Sequence, residues 1–322
     1  MNLQENRTEQ FLKYVEQKAY QSLMDEVSAT PKPGLVDLKD SGAHTDMDYH
    51  TFLGSAKAIT PFLADMARAG TLFKMQEEIE KEQLFLSIRP IGLKAEQAMF
   101  AATNGVNTHK GMIFSMGIVA AAAGLACSEY FEGAQSKKTP DADYILNLCR
   151  NMCRRPLEAD FASISPLHPK THGERLFIEH GIRGIRGEAA DGFPSIKNAS
   201  LPIFRRELLV NSKENWNLIC LQVLLKLMSC VDDTNVLFRT GMKELSYVKE
   251  SSQKSLSLGG SFTAQGILAL EQLNEDFIKK NISPGGCADL LAITLFLWRI
   301  EQYFLPGQSG KSPSLWSADR NW

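Results

Sequence analysis

Apolar residues recur at intervals of three and four along most of this chain, which is the spacing that places them on one face of an α-helix. Phe11, Val15, Ala19 and Leu23 follow this spacing, and residues 52–70 repeat it. Further stretches with the same pattern are residues 91–103, 111–130, 141–154, 216–230, 262–280 and 288–303. An alternation with a period of two, typical of β-strands, is almost absent. The pattern therefore predicts an all-α protein.

The polar stretches between these helices do not resemble interdomain linkers, because apolar helical patterns resume on both sides of them. The length of 322 residues allows one or two domains. We expect one large multi-helix domain over residues 1–306 and a polar C-terminal tail over residues 307–322. The most apolar run, residues 113–127, is shorter than the ~20 residues that a membrane-spanning helix needs. It predicts a buried core helix.

Composition and charge exclude several classes of protein. The hydrophobic fraction of 44% argues against disorder, and the net charge of −2 argues against a generally basic nucleic-acid binder. Six cysteines are too few for a disulfide scaffold, and Cys149 and Cys153 have no second pair or nearby histidine to complete a zinc site. The N-terminus lacks the apolar core of a signal peptide. We therefore expect a cytoplasmic protein that binds neither nucleic acid nor a membrane.

Five polar islands, rich in Gly, Asp and Asn, lie between the apolar helices. They are TPKPGLVD (30–37) with the acidic stretch that follows it, TNGVNTHKG (103–111), GIRGIRGEAADGFP (181–194), VDDTN (231–235) and SPGGCAD (283–289). Any single island is explained by a turn and a helix cap. All five, however, combine a Gly- or Asn-containing turn at a helix end with carboxylate, amide or cationic side chains. This recurrence favours convergence of the interhelical loops on one pocket. Helix N-termini with Arg or Lys suit phosphates, and clustered carboxylates suit Mg²⁺, which together indicate a metal–polyphosphate site.

The third island is the most informative by itself. Its glycines at positions 181, 184 and 187 would let the backbone approach a ligand closely, and Arg183 and Arg186 between them suit phosphate oxygens. Glu188 and Asp191 follow at a spacing that places both carboxylates on one helical face. The competing interpretation is a salt-bridge cluster on a surface loop.

Two other islands carry candidates with more than one interpretation. Asp232 and Asp233 follow an apolar run, where carboxylates are costly unless they are paired, bind a metal or cap a helix. Asn104, Asn107 and Lys110 combine amide groups with a cation, which suits a nucleotide base or ribose as well as phosphate.

In this order, the islands resemble the motifs of triphosphoribosyl-dephospho-CoA synthases. These enzymes make the prosthetic-group precursor of citrate lyase, and close relatives serve malonate decarboxylase. The resemblance covers residues 25–303 and includes the stretches ATPKPGLVD, HTDMD, TNGVNTHKG, GIRGEAADGFP, DDTN and SPGGCADLLA. Cys287 stands where the family pattern suggests serine, and Phe238 precedes Arg239 where another residue is usual.

The resemblance implies a transfer of the 5-triphosphoribosyl group of ATP to the 2′-hydroxyl of 3′-dephospho-CoA, with release of adenine. The expected substrates are ATP and dephospho-CoA, with Mg²⁺ accompanying ATP. Asp37 is the preferred general base, with His109 and Asp289 as rivals. The expected substrate-binding residues are Lys32, Asn104, Asn107, Lys110, Arg183, Arg186 and Arg239. The expected metal ligands are Glu188, Asp232 and Asp233, with Asp46 and Asp48 as further candidates.

Two alternatives of different kinds stay open from the sequence. One is a Mg²⁺-dependent glycohydrolase of ADP-ribose-type linkages, for which the DDT sequence at residues 232–234 is the best indication. The other is a catalytically silent nucleotide-binding or scaffold protein that docks through Trp316 and Trp322. The citrate lyase and malonate decarboxylase branches are also both open, as are a homo-oligomer and a transient contact with the machinery that transfers the prosthetic group.

Overall fold

A computed structural model of the protein describes residues 3–73, 81–132 and 139–305. Within these residues the chain forms α-helices and no β-strand, which confirms the all-α prediction. The helices are α1 (Leu3–Ser28), α2 (Tyr49–Leu72), α3 (Lys81–Ala102), α4 (Lys110–Glu132), α5 (Ala142–Ala162), α6 (His172–His180), α7 (Gly184–Ala190), α8 (Leu201–Val210), α9 (Trp216–Met228), α10 (Thr234–Thr240), α11 (Met242–Ser257), α12 (Ala264–Lys279) and α13 (Gly285–Phe304). The tail predicted at residues 307–322 lies outside the described residues, so that boundary stays a prediction.

Several helix boundaries differ from those that the sequence predicts. Helix α3 begins at Lys81 rather than at residue 91, and α5 continues to Ala162 rather than ending at residue 154. Both helices continue through a proline, Pro90 in α3 and Pro156 in α5. Helices α6, α7 and α10 contain nine, seven and seven residues. They are missed because a helical period needs a window of about 11 residues or more to be detected.

Helix α4 lies at the centre of the fold, against α1, α2, α3, α5 and α13. Its contact with α2 is a close approach of two backbones. A Cβ atom on Gly124 would lie 2.0 Å from the carbonyl oxygen of Ala67, and one on Gly70 would lie 2.1 Å from that of Ala121. By length and composition residues 110–131 could cross a membrane, but 83% of their most apolar window is buried inside the protein. The predicted core helix is therefore confirmed.

A buried ion pair joins the two ends of the described chain. Arg299 of α13 donates to the carboxylate of Asp25 on α1, and neither side chain is exposed to solvent. Arg299 also donates to Ser22 Oγ at 2.7 Å, and the indole of Trp216 on α9 donates to Asp25 at 3.0 Å. Breaking such a pair from one side leaves a buried charge and costs about 3–5 kcal/mol. The pair fixes α13, whose N-terminus reaches the polar islands, against α1.

Candidate functional site

Three of the five polar islands line one pocket of about 420 Å³. The third island contributes lining residues between Gly181 and Pro194, the fourth contributes residues 231–234, and Gly286 of the fifth lies beside them. The flanking residues His180, Ser195 and Cys230 also line the pocket. The pocket is therefore formed by the loops and first turns of α7, α10 and α13. Its volume falls in the range of small-molecule sites, which is roughly 300–1,000 Å³.

Glu188 on α7 faces this pocket with its carboxylate tied to the loop that follows the helix. Ser195 Oγ donates to Oε1 of Glu188 at 2.5 Å, and the Ser195 backbone N–H donates to Oε2 at 3.1 Å. Burial raises the pKa of Glu188, against the lowering effect of both hydrogen bonds. Two donors from one residue fix the orientation of the carboxylate, and each oxygen keeps a lone pair for a ligand.

Arg183 lines the same pocket and is paired with a carboxylate. Its Nη1 donates to Oδ2 of Asp191 at 2.9 Å, and its guanidinium carbon lies 4.9 Å from the ring centre of Phe161. The aromatic face and the ion pair hold the guanidinium at the pocket wall. Arg186 lies on α7 but outside the residues that line the pocket.

The neighbouring residues Asp232 and Asp233 have different environments. Asp232 is half exposed and accepts a hydrogen bond from Lys249 Nζ of α11 at 2.5 Å. Asp233 is buried and caps α10 by accepting from the N–H groups of Asn235 and Val236 at 2.8 and 3.2 Å. Its second oxygen accepts from the N–H of Cys287 at 2.8 Å, which ties α10 to α13. The helix-cap explanation that the sequence left open therefore describes Asp233, and Asp232 is the freer carboxylate.

The first island lies in the interior and its polar groups bond to one another. Lys32 forms a buried ion pair with Glu26, a residue of α1. The carboxylate of Asp37 accepts from the backbone N–H groups of Lys32 at 2.9 Å, Lys39 at 2.7 Å and Asp40 at 3.1 Å. Burial raises the pKa of Asp37, and these hydrogen bonds oppose the rise. With three donors, Asp37 holds the loop together.

Asp289 stands between this interior group and the pocket. It follows the pocket residue Gly286 by one helical turn, and its Oδ2 lies 2.5 Å from where a Cβ on Gly111 would be. Desolvation raises the pKa of Asp289 well above its ordinary value, and the negative charges of Glu26 and Asp233 raise it further. The side chain is half buried, and no hydrogen bond to it exists among the described residues.

His109 belongs to a chain of three side chains. Thr108 Oγ1 donates to Ser55 Oγ at 2.6 Å, and Ser55 Oγ lies 2.6 Å from Nδ1 of His109. We assign the Ser55 hydroxyl as the donor and Nδ1 as the acceptor of this hydrogen bond. The imidazole hydrogen then lies on Nε2. Nε2 is buried and has no hydrogen-bond partner within the part of the chain that the structure describes. Burial lowers the pKa of His109 to about 3, with a smaller contribution from the Lys32 cation, so the ring is neutral.

Four other predicted site residues lie outside the pocket lining, and three of them have polar partners that are also outside it. Asn107 Oδ1 accepts from the N–H of Lys110 at 3.2 Å, and Lys110 Nζ pairs with Glu96 at 3.0 Å. Arg239 donates to the carbonyl oxygens of Ala43 and Asn281 at 2.6 and 3.1 Å, which joins two loops. Asn104 occupies a turn, with φ of 53°.

The remaining predicted metal ligands, Asp46 and Asp48, are also outside the residues that line the pocket. Asp48 caps α2 in a reciprocal capping box with Thr51. Asp46 Oδ1 lies 3.6 Å from Nδ1 of His44, and its side chain is 60% exposed. His44 in turn lies 2.8 Å from Ser283 Oγ, so the first and fifth islands meet here.

Sequence reasoning missed several polar residues around these groups. Glu26 and Ser55 lie inside amphipathic helices, where nothing in the local pattern distinguishes them from helix-capping or solvent-facing residues. Lys249 lies within α11, which the sequence did not predict. Ser195 follows the third island directly, so extending that island by one residue would have included it.

Comparisons with known proteins agree with this arrangement of motifs. The sequence profile of a family described as ATP:dephospho-CoA triphosphoribosyl transferase matches residues 12–307. Relatives called probable 2-(5''-triphosphoribosyl)-3'-dephosphocoenzyme-A synthase include one from Streptococcus mutans, 37% identical over 88% of this chain and 95% of its own, and one from Vibrio cholerae, 38% identical over 93% and 92%. A third, from Photobacterium profundum, is 41% identical over 90% of this chain and 88% of its own. No solved structure matches the chain.

Proposed function

This chain belongs to the family of ATP:dephospho-CoA triphosphoribosyl transferases, and from that premise we propose how its pocket and interior side chains carry out the transfer. The activity is the transfer of a triphosphoribosyl group from ATP to dephospho-CoA. In this reaction O2′ of dephospho-CoA bonds to C1′ of the ATP ribose. The bond from C1′ to adenine breaks, and adenine leaves with the bonding electrons. Adenine takes up one proton in place of the one that the 2′-hydroxyl gives up, and the triphosphate stays on the ribose.

The pocket formed by α7, α10 and α13 is the proposed site of the triphosphate. The observation that carries this assignment is the meeting of Arg183, Glu188 and Asp232 in the lining of one pocket of about 420 Å³. These residues come from two separate islands, and the first turn of α13 adds the positive end of a 20-residue helix at Gly286. No phosphate bond breaks in the reaction, so the site needs to hold the phosphates rather than activate them.

The carboxylates of this pocket fit a Mg²⁺ ion that arrives with ATP. Mg²⁺ in such sites keeps several waters and takes one or two carboxylates besides the phosphate oxygens. Glu188 and Asp232 are the carboxylates that would hold it, since each keeps accessible lone pairs, whereas Asp233 spends both oxygens on backbone N–H groups. Among the described residues no three His, Cys, Asp or Glu side chains are grouped closely enough to hold a metal ion, so the proposed site has two carboxylates. When bound, Mg²⁺ neutralises part of the triphosphate charge.

Asp289 is the proposed general base for the hydroxyl of dephospho-CoA. A base needs a carboxylate oxygen free to accept a proton, and the carboxylate of Asp289 is free of hydrogen bonds where that of Asp37 accepts three. Its raised pKa suits a base that works near neutral pH. A hydrogen bond donated to a ring nitrogen would stabilise adenine as it leaves. The Nε2–H of His109 is the interior group that could donate it. The negative charge of Asp289 would also stabilise a cationic ribose in the transition state.

Free adenine reports the reaction directly. The protein is incubated with ATP, Mg²⁺ and 3′-dephospho-CoA, and adenine is measured by chromatography. Adenine should form in equal amount to the triphosphoribosyl product, and only when dephospho-CoA is present. Adenine or ribose release without dephospho-CoA would indicate the glycohydrolase, and ATP binding without any adenine would indicate the silent binding protein.

A further inference from the structure

The Asp232 carboxylate is paired with the ammonium group of Lys249. Lys249 Nζ lies 2.5 Å from Asp232 Oδ1, and the two side chains are 29% and 54% exposed. Lys249 belongs to α11, which packs against both α9 and α10. It lies outside the islands and outside the pocket lining, and it contacts the lining residue Asp232. A second pair of the same kind, Arg183 with Asp191 at 2.9 Å, lies at the same pocket.

Each of these two pairs is electrically neutral as a unit, and Glu188 and Asp233 add further carboxylates to the pocket lining. A Mg²⁺–ATP complex brings a dication and a polyanion. In each pair the carboxylate can therefore bind Mg²⁺ in place of its basic partner, and the basic side chain can bind phosphate in place of the carboxylate. An exposed lysine–carboxylate pair contributes little to stability, so little is lost when it opens. Phosphate oxygens, which accept several hydrogen bonds, are strong partners for an ammonium group.

The position of Lys249 favours this exchange. Its charge lowers the pKa of the thiols of Cys230 and Cys287, although burial has the larger, opposite effect on both. Cys230 lines the pocket, and Cys287 lies in the first turn of α13. The ammonium is therefore near both the pocket wall and the positive end of α13, where an anion would be bound.

We propose that Lys249 is a triphosphate-binding residue, whose ammonium group moves from Asp232 to the phosphate oxygens of ATP as Asp232 receives Mg²⁺. This inference rests on the proposed function, since it takes ATP as the ligand. Lys249 lies outside every motif of the sequence. Its side chain would strengthen the binding of ATP and weaken the binding of a metal ion to Asp232.

The test is a set of binding titrations with three variants of the full chain. Lys249→Met removes the charge and keeps the aliphatic stem, Lys249→Arg keeps the charge, and Lys254→Met is the matched control at an exposed position of the same helix. Calorimetry measures ATP binding in EDTA, and Mn²⁺ is titrated alone as a spectroscopic stand-in for Mg²⁺. Thermal melting confirms that each variant is folded.

Lys249→Met should weaken ATP binding in EDTA about tenfold, the effect of one charge-assisted contact. It should also tighten Mn²⁺ binding without ATP, because Asp232 loses its competing cation. Lys249→Arg and Lys254→Met should bind ATP as the wild type does. Unchanged ATP affinity in Lys249→Met, or an equal loss of ATP and Mn²⁺ affinity, would overturn the proposal.

Asp232→Asn supplies a second measurement that does not depend on the folding of Lys249→Met. It frees Lys249, so metal-free ATP should bind as tightly as to the wild type or tighter, and weaker binding contradicts the exchange. Measurements on the wild type distinguish a failure of the Lys249 proposal from a failure of the proposed function. Adenine formation by the wild type with unaltered ATP binding in Lys249→Met would refute the role of Lys249 alone, whereas a wild type that binds no ATP would refute the proposed function as well.

Discussion

The carboxylate of Asp289 lies against the backbone of Gly111, so closely that a Cβ atom there would be 2.5 Å from Oδ2. Gly111 is the second residue of α4 and Asp289 belongs to the first turns of α13. The contact therefore joins the second and fifth islands, and it gives a physical reason for a glycine at this helical position. A methyl group would push the carboxylate away.

Gly111→Ala should lower turnover about 100-fold, because a displacement of roughly 1 Å at a reacting group has an effect of that size. The measurement is the rate of adenine formation together with the thermal midpoint. Gly173→Ala is the control, since a Cβ at Gly173 of α6 meets nothing within 4 Å. The control should keep full turnover, and alanine there should stabilise the helix by roughly 0.5–1 kcal/mol. Equal turnover in the two variants would contradict the importance of the contact.

Asp289→Asn and Asp37→Asn should fail in different ways. Loss of a general base costs roughly 10²–10⁴ in turnover, so Asp289→Asn should lose activity with the fold and ATP affinity intact. Asp37→Asn weakens three backbone hydrogen bonds in the loop of the first island and should lower the free energy of unfolding by about 1–3 kcal/mol. Turnover measured below each variant's melting temperature separates the two. Near-normal turnover in Asp289→Asn would remove it as the base.

Glu188→Gln and Asp232→Asn should raise the Mg²⁺ concentration needed for half-maximal turnover, because each removes a charged oxygen ligand. The double variant should show a shift of about tenfold or more. Asp46→Asn tests the further metal candidate and should leave the Mg²⁺ dependence unchanged, since Asp46 lies outside the pocket lining. A shift in Asp46→Asn with none in the double variant would move the metal site to the first island.

Cys230 offers a chemical probe of the pocket. It lines the pocket and is the one exposed cysteine of the six, the other five being buried. A thiol reagent should therefore label one site, more rapidly at pH 9 than at pH 7 because burial raises the pKa of this thiol. Mg²⁺–ATP should slow the labelling, as measured by mass spectrometry. Cys230→Ser should abolish it. Labelling at the same rate with and without nucleotide would show that ATP binds elsewhere.

His109 should make the protein less stable in acid. Its pKa falls from about 6.5 in the unfolded chain to about 3 in the folded protein. Between these values the unfolded state binds a proton that the native state does not, so the free energy of unfolding decreases as the pH falls. This contribution is about 1.4 kcal/mol for each pH unit below 6.5, and it levels off near the folded pKa.

His109→Gln should be less stable than the wild type at pH 7, because it loses the buried imidazole and its hydrogen bond to Ser55. Below about pH 6.5 the difference should shrink by about 1.4 kcal/mol per unit of acidification. Denaturant unfolding at pH 7, 6 and 5 measures this difference. His50→Gln, at an exposed position of α2, is the control for the loss of a histidine side chain as such. A constant difference for His109→Gln would contradict a buried neutral imidazole.

Local spacing is sufficient to predict much of this protein. The apolar period of three and four specifies α2, α4, α9, α12 and α13, since helical hydrogen bonds and side-chain faces depend on near neighbours. The motif GIRGIRGEAADGFP identifies Arg183 and Glu188 as pocket residues, because the chemistry of glycines, arginines and carboxylates is a property of the residue type. Family membership follows from the order of the islands. The short helices α6, α7 and α10, the early start of α3 and the extension of α5 do not follow from the local pattern, and α11 is missed as well.

The packing of the helices determines which polar groups are free to act. Asp37 and Asp289 are both aspartates in polar islands, yet one carboxylate accepts three backbone hydrogen bonds and the other none from the described chain. Lys249 reaches Asp232 across 17 residues, and Ser55 reaches His109 across 54. Contacts of this kind depend on how whole helices pack, because a polar group is satisfied by whatever donor or acceptor the fold brings to it. The sequence by pattern alone identified the longer apolar helices, the residue types of the islands and the family, and the packing of the helices determined which partner each polar group has.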